Sequence, residues 1–128
     1  MGVVIQLVVP IATYKVYAVG SEVEVFLREQ RRRSPKEAAK LQALLAYSAQ
    51  YGQPINEEKC RLLGDGLFEF KANSLRLLWF WDSDCMILCT NGFAKKRQKT
   101  PPTEIERAKA IRSSYQAAKR SGRLTIKE

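Results

Sequence analysis

The chain changes its hydrophobic period three times. Residues 3–9 and 12–19 are rich in Val and Ile and are separated by Pro10, and the second run alternates through Thr13-Tyr14-Lys15-Val16-Tyr17. Both are expected to be extended, and the second to join a sheet. From Ser21 the period lengthens to that of a helix. Ser21-Glu22-Val23-Glu24 has the spacing of a capping box, Phe26 and Leu27 are the apolar anchors, and Arg31-Arg32-Arg33 closes the helix where its dipole favours cations. Ser34-Pro35-Lys36-Glu37 starts a second helix, with a Ser cap, Pro at the first helical position and Glu completing the box. Leu41, Leu44, Leu45 and Ser48 share one face of it, and Gly52 with Pro54 ends it. Two helices joined this tightly predict a helical hairpin.

From Gly64 the period falls to two. Gly64-Asp65-Gly66 reads as a turn, and Leu67 to Lys71 alternates with Phe68 and Phe70 on one face. After a short loop at Ala72-Asn73-Ser74, the run Leu75 to Trp81 puts Leu75, Leu77, Trp79 and Trp81 on one side and Arg76, Leu78 and Phe80 on the other. The two tryptophans are therefore expected in the core. Asp82-Ser83-Asp84 turns the chain into a third apolar run, Cys85 to Phe93, giving an antiparallel meander. Thr100-Pro101-Pro102-Thr103-Glu104 opens a last helix, with Ile105, Ala108, Ile111, Tyr115 and Ala118 at helical spacing until Gly122. The expected architecture is α+β: a helical hairpin packed on one face of a twisted, mainly antiparallel sheet, with a C-terminal helix and the other face partly open. Lys71 and Arg76 would sit on that open face as cross-strand neighbours of one hairpin.

A length of 128 residues fits one domain spanning 1–128, with 1–11 as an N-terminal extension and 122–128 as a tail. The apolar run at 3–9 is far short of the ~20 residues that cross a bilayer, so a cytoplasmic protein without a membrane segment is expected. Composition adds little to this, but charge adds a location. Of the 22 basic and 13 acidic side chains, residues 95–128 hold 11 basic and 3 acidic ones, so nearly all of the net +9 sits in the last quarter. A polyanionic partner follows more readily than a merely solvated helix. Three cysteines without a paired spacing, and no His, argue against zinc and for buried free thiols. The lack of His also removes imidazole-based nucleophile and acid–base arrangements, leaving Lys, Tyr, Asp, Glu or Arg for any proton transfer.

The segment Asn91-Gly92-Phe93-Ala94-Lys95-Lys96-Arg97-Gln98-Lys99-Thr100-Pro101 gathers four cations between the last strand and a Pro-started helix. It resembles the HigB-like, phage-derived toxin branch of the RelE/ParE toxin–antitoxin superfamily, whose members carry a segment close to GF-x-KK-x-x-K-TP-x-x-EI-x-x-A. Here Gly92 to Ala108 matches that pattern at nearly every position. Leu62 to Lys71 is similar to the family's L-x-DGL-x-EL-R strand with Lys71 for Arg, Leu75 to Phe80 to its arginine-bearing strand, and Val25-Phe26-Leu27 to its EFL site with Val25 for the acid. The resemblance runs from about Tyr14 to Ala118. It implies a RelE/ParE-like fold and a growth-inhibiting toxin held by a cognate antitoxin, commonly an endoribonuclease that cuts mRNA on the ribosome without a cofactor or metal. The alternatives are a non-catalytic, ParE-like inhibitor of DNA gyrase, or a protein of this fold that only binds nucleic acid or an antitoxin-like partner.

For RNA transesterification, Arg76 and Lys71 suit stabilisation of the phosphoryl oxygens, Arg76 through its planar fork. Lys95 or Lys96, crowded by like charges, suits proton transfer, ahead of Glu69 or Asp65. Lys95, Lys96, Arg97, Lys99 and Arg76 are the expected nucleic-acid contacts. Structural roles remain open for the same residues: Lys71 paired to Glu69 or a helix acid, Arg76 as a plain sheet-face cation, and the lysines holding phosphates without chemistry. One departure bears on catalysis, because the His that many members place before the Gly-Phe pair is Asn91 here, which hydrogen-bonds but does not shuttle protons.

Overall fold

The computed structural model describes residues 2–83, 85–96 and 98–128. The first two extended runs become β1 (Val3–Leu7) and β2 (Lys15–Val19), antiparallel, with Ile5 opposite Val19. The helical hairpin is α1 (Glu22–Arg33) and α2 (Pro35–Tyr51), with only Ser34 between them. Neither Ser21 nor Ser34 makes the side-chain cap bond that the sequence predicts. Glu37 is instead drawn across the molecule, accepting from the backbone N and the hydroxyl of Ser74 at 3.1 and 2.7 Å. The second helix thus fastens the tip of a strand hairpin.

The meander is β4 (Leu67–Ala72), β5 (Leu75–Asp82) and β6 (Met86–Ala94), preceded by β3 (Cys60–Gly64). α3 (Pro102–Arg120) and β7 (Leu124–Lys127) complete the chain. All strands form one seven-stranded sheet in the order β3-β4-β5-β6-β2-β1-β7. It is mixed: β2 lies parallel to β6 and β7 parallel to β1, while the other pairs are antiparallel. The sheet is therefore larger and less antiparallel than the hydrophobic pattern suggested. The segments read as an N-terminal extension and a tail supply β1 and β7, which pair at one edge. Cys60 and Cys89 are buried as expected, but the Cys85 thiol is exposed.

Each face of the sheet carries its own core. Phe26, Leu41 and Leu45 of α1 and α2 pack on Val16, Ala18, Leu77, Trp79 and Ile87 of the sheet; Ala108 and Tyr115 of α3 pack on Tyr17, Leu67, Leu78, Phe80 and Leu88 on the other face. α1 approaches β6 so closely that a Cβ on Gly92 would stand 2.3 Å from the Phe26 ring, so any larger residue there would push the helix off the sheet. At the far end of α3 the Tyr115 hydroxyl donates to Asp82, and Lys119 Nζ lies 2.9 Å from the same carboxylate. Burial pushes the Asp82 carboxyl upward, but these hydrogen bonds and the Lys119 charge outweigh it and hold it below the usual range.

Candidate nucleic-acid interface

The site grows out of strand register. Lys71 of β4 faces Arg76 of β5, Arg61 of β3 faces Glu69 of β4, and Phe93 of β6 faces Arg76 from the other side. Side chains two apart on a strand share a face, so Arg61, Glu69, Lys71 and Arg76 all belong to the face that α3 packs on. The helix does not reach them. Asn91 Nδ2 donates to the Glu104 carbonyl at 3.2 Å and to its Oε1 at 3.0 Å, which seats the first turn of α3 over the Leu78–Asn91 pair. Beside the next pair toward the hairpin tip, Arg76 and Phe93, Thr100 reaches Glu69, and Lys95, Lys96 and Gln98 line a depression with Arg76.

Glu69 is the hub. It is fully buried, and its Oε1 accepts from Thr100 Oγ1 at 2.7 Å and stands 3.8 Å from Arg76 Nε. Its Oε2 lies 3.2 Å from Arg61 Nη2 without hydrogen-bond geometry. Arg76, only 8% exposed, is gripped at its other end, where Nη1 donates to the carbonyls of Asn73 at 2.5 Å and Leu75 at 2.9 Å. The guanidinium is thus locked in one orientation by the turn that precedes it. Arg76 Nε and Glu69 Oε2 remain without hydrogen-bond partners in a buried place. Both face an opposite charge, Arg61 for Glu69 Oε2 and Glu69 Oε1 for Arg76 Nε, so charge rather than hydrogen bonding holds the pair there.

Lys95 and Lys96 close the arrangement. The backbone N of Lys95 donates to the Ser74 carbonyl at 2.7 Å, extending β6 along the hairpin tip. Ser74, Arg76, Lys95, Lys96 and Gln98 line an open depression of about 400 Å³. Partial burial and then the Arg76 charge hold the Lys95 ammonium below its usual range, with Arg61 and Lys71 acting in the same direction and Glu69 against them. Burial also lowers Arg76, opposed by Glu69, but a guanidinium starts so high that it stays charged. Arg61, Arg76, Lys71 and Lys95 are therefore electrostatically coupled around Glu69, with Lys96 lining the same depression, and the excess is positive.

Of the residues singled out in the sequence, the structure brings Arg76, Lys71, Lys95 and Lys96 to one end of one face. Lys71 is partly engaged, its Nζ donating to the Glu57 carbonyl at 3.2 Å rather than pairing with Glu69 or a helix acid. Lys99 is exposed and does not line the depression. Arg97 lies outside the described residues. Asp65 is drawn to α3 instead, 2.9 Å from Lys109 Nζ, whose hydrogen bond and charge hold its carboxyl low. Arg61 and Thr100 were missed. The turn at Gly64-Asp65-Gly66 was the available signal for Arg61, since a hairpin turn needs a strand on both sides and folding back from it sets Arg61 against Glu69. Among the described residues no group of three or more His, Cys, Asp or Glu could hold a metal ion, and no helix is long and apolar enough to cross a membrane.

Asn91, where the resemblance led one to look for a proton shuttle, is a staple. Thr90 Oγ1 donates to its Oδ1 at 2.7 Å within β6 while its amide holds Glu104, so one end of the side chain is fixed to its own strand and the other joins β6 to α3. Residues 29–113 match the sequence profile of the phage-derived Gp49-like proteins, a stretch that contains every member of the cation cluster. No curated protein matches the chain. Two thirds of the sequence, including the whole of the candidate site, thus carries the family pattern, and the chain belongs to the phage-derived Gp49-like family, a RelE/HigB-like family of toxins from toxin–antitoxin systems, which implies an antitoxin partner.

Proposed function

We propose that this chain is a ribosome-dependent mRNA endonuclease of the HigB type, a single RelE/ParE-like domain acting in the cytoplasm. The observation that carries the reading is the surplus of fixed cations around buried Glu69, set at an uncovered end of the sheet. A ribose-phosphate backbone is the ligand whose charge fits it. In the reaction the 2′-oxygen attacks the adjacent phosphorus and the bond from phosphorus to the 5′-oxygen breaks. The products are a 2′,3′-cyclic phosphate and a 5′-hydroxyl. One proton leaves the 2′-hydroxyl and one reaches the departing 5′-oxygen.

The roles follow from burial and charge. Arg76, immobilised by Asn73 and Leu75 through Nη1, presents its remaining nitrogen, Nη2, to the phosphoryl oxygens, with Lys71 beside it. Pre-oriented donors of this kind are worth ~3 kcal/mol in the transition state, because no reorganisation is needed as charge develops. Glu69 is buried too deeply to meet substrate and serves as the counter-ion that positions Arg76 and Arg61. Lys95 is the amine weakened toward its neutral form and takes the 2′-proton, and the exposed Lys96 ammonium supplies a proton to the leaving oxygen.

The purified chain should cut mRNA when translating ribosomes are present and leave it whole when they are absent. Because the working form of Lys95 is the neutral amine, cleavage should rise with pH across the neutral range. Intact mRNA on ribosomes, with DNA breaks or lost supercoiling activity of gyrase in its place, would move the chain to the ParE-like inhibitors. Absence of any growth inhibition would leave only a binding role.

A further inference from the structure

Past the tip of the β4–β5 hairpin from the cation cluster lies a second and larger concavity, about 800 Å³, between α2, the segment after it and the end of β4. Its wall is aliphatic and aromatic, with Leu44, Tyr47 and Ile55 among its lining residues, and its polar residues include Lys40, Lys59 and Lys71. Tyr47 is 48% exposed and Ile55 97% exposed, and Tyr51, whose ring lies 4.9 Å from that of Tyr47, is open as well. An isoleucine with almost its whole surface in water, beside two exposed tyrosines and an apolar groove, is a patch that awaits cover. Glu58 is the single acid among the lining residues, so three lysines and one carboxylate give the groove a positive sign.

We propose that this groove is the docking site for an acidic, amphipathic segment of the antitoxin, which lays apolar side chains on Leu44, Tyr47 and Ile55 and carboxylates on Lys40, Lys59 and Lys71. The inference rests on the toxin reading above and adds a surface to it. The charge of the groove selects an acidic occupant, as the net +9 of the chain does in general. Tyr47 is the one aromatic lining residue beside aliphatic Ala43, Leu44, Pro54, Ile55 and Ala72, a wall that favours a polypeptide over a run of stacked nucleotide bases. Position supplies the consequence. Lys71 lines this groove and stands opposite Arg76, so an occupant that engages Lys71 takes one cation from the RNA site and crowds the hairpin tip. Neutralisation then needs no contact with the buried Glu69 network.

The test uses the whole chain and, as probe, the protein encoded by the reading frame beside its own. Cells express the unaltered chain, the double variant Ile55→Asp/Lys40→Glu, or Val25→Asp on the outer side of α1, each with and without that neighbour. Ile55, Lys40 and Val25 are exposed, so the substitutions leave the folded core untouched. The expected result is growth arrest by all three alone, rescue of the unaltered chain and Val25→Asp, and failed rescue of the double variant, with purified binding weakened at least about tenfold. Full rescue of the double variant would overturn the docking site while leaving the toxin reading intact. Lost arrest by the double variant alone, with unchanged binding to the neighbour, would give the groove to RNA and overturn the proposal. A neighbour that rescues no form at all overturns it too, and an unaltered chain that never arrests growth overturns the toxin reading with it.

Discussion

Phe68, Phe70 and Trp79 leave β4 and β5 toward the helical hairpin, while Glu69, Lys71 and Arg76 leave the same two strands toward α3. On the first side Trp79 lies stacked on Phe68 and Phe70 at centroid distances of 4.6 and 4.9 Å and meets Trp81 edge-on at 5.3 Å. On the other, a buried carboxylate and a buried guanidinium stand 3.8 Å apart with hydrogen-bonding capacity left over. One side of the hairpin stabilises the sheet by packing. The other accepts an energetic cost to hold charge in place, and it does so only a residue away from the packing that offsets that cost. The buried Trp79 Nε1 also lacks a hydrogen-bond partner, so the two sides differ in charge and packing rather than in hydrogen-bond satisfaction.

The contrast can be broken from either side. The largest loss of stability is expected from Trp79→Ala, which empties the aromatic face and should cost about 4 kcal/mol in a urea or guanidinium melt. Glu69→Ala should cost about 3 kcal/mol, because Arg76 would stay buried without its counter-ion. The two differ in what a rescue does: Glu69→Gln, which keeps the Thr100 contact but not the charge, should recover part of the stability and little of the cleavage. Asn91→Ala, which strips the staple between β6 and α3 and leaves Glu104 and Thr90 without it, should lose about 2 kcal/mol.

How far the sequence disclosed this contrast depended on which physical signal each part emits. Strict alternation in Leu75 to Trp81 put the tryptophans on one face and Arg76 on the other, and the register of Lys71 against Arg76 followed from the short hairpin loop. The helices were legible from periodicity, although the expected Ser caps are not formed and Glu37 acts at a distance. β3 and β7 were not legible as strands, because Cys60–Gly64 and Leu124–Lys127 are short edge strands whose pairing is settled by tertiary neighbours. The same lack hid Arg61. Glu69 was visible as a candidate acid, but its burial and its grip on Thr100 depend on a loop returning from 31 residues further along the chain.

Two smaller effects sharpen the comparison away from the aromatic face. Asp82, held low by Tyr115 and Lys119, contributes stability that is present above the ordinary Asp value of 3.8 and is lost as pH falls through its depressed folded value. The stability gap between the unaltered chain and Asp82→Asn should therefore be open at neutral pH and close in strong acid, as read by denaturant midpoints. Least of all, Lys96→Ala should leave folding unchanged and reduce the salt dependence of binding to single-stranded RNA by ~0.7 in the log–log slope, as expected for one phosphate contact.

The central claim is that Arg76, fixed by the hairpin tip and by Glu69, stabilises the reacting phosphate. Mapping cleavage on translated mRNA with the unaltered chain and Arg76→Ala, at matched circular dichroism, tests it most directly. The account predicts discrete cuts by the unaltered chain and a rate at least about a hundredfold lower in the variant. Equal cleavage by both, or intact mRNA with the unaltered chain, would contradict it.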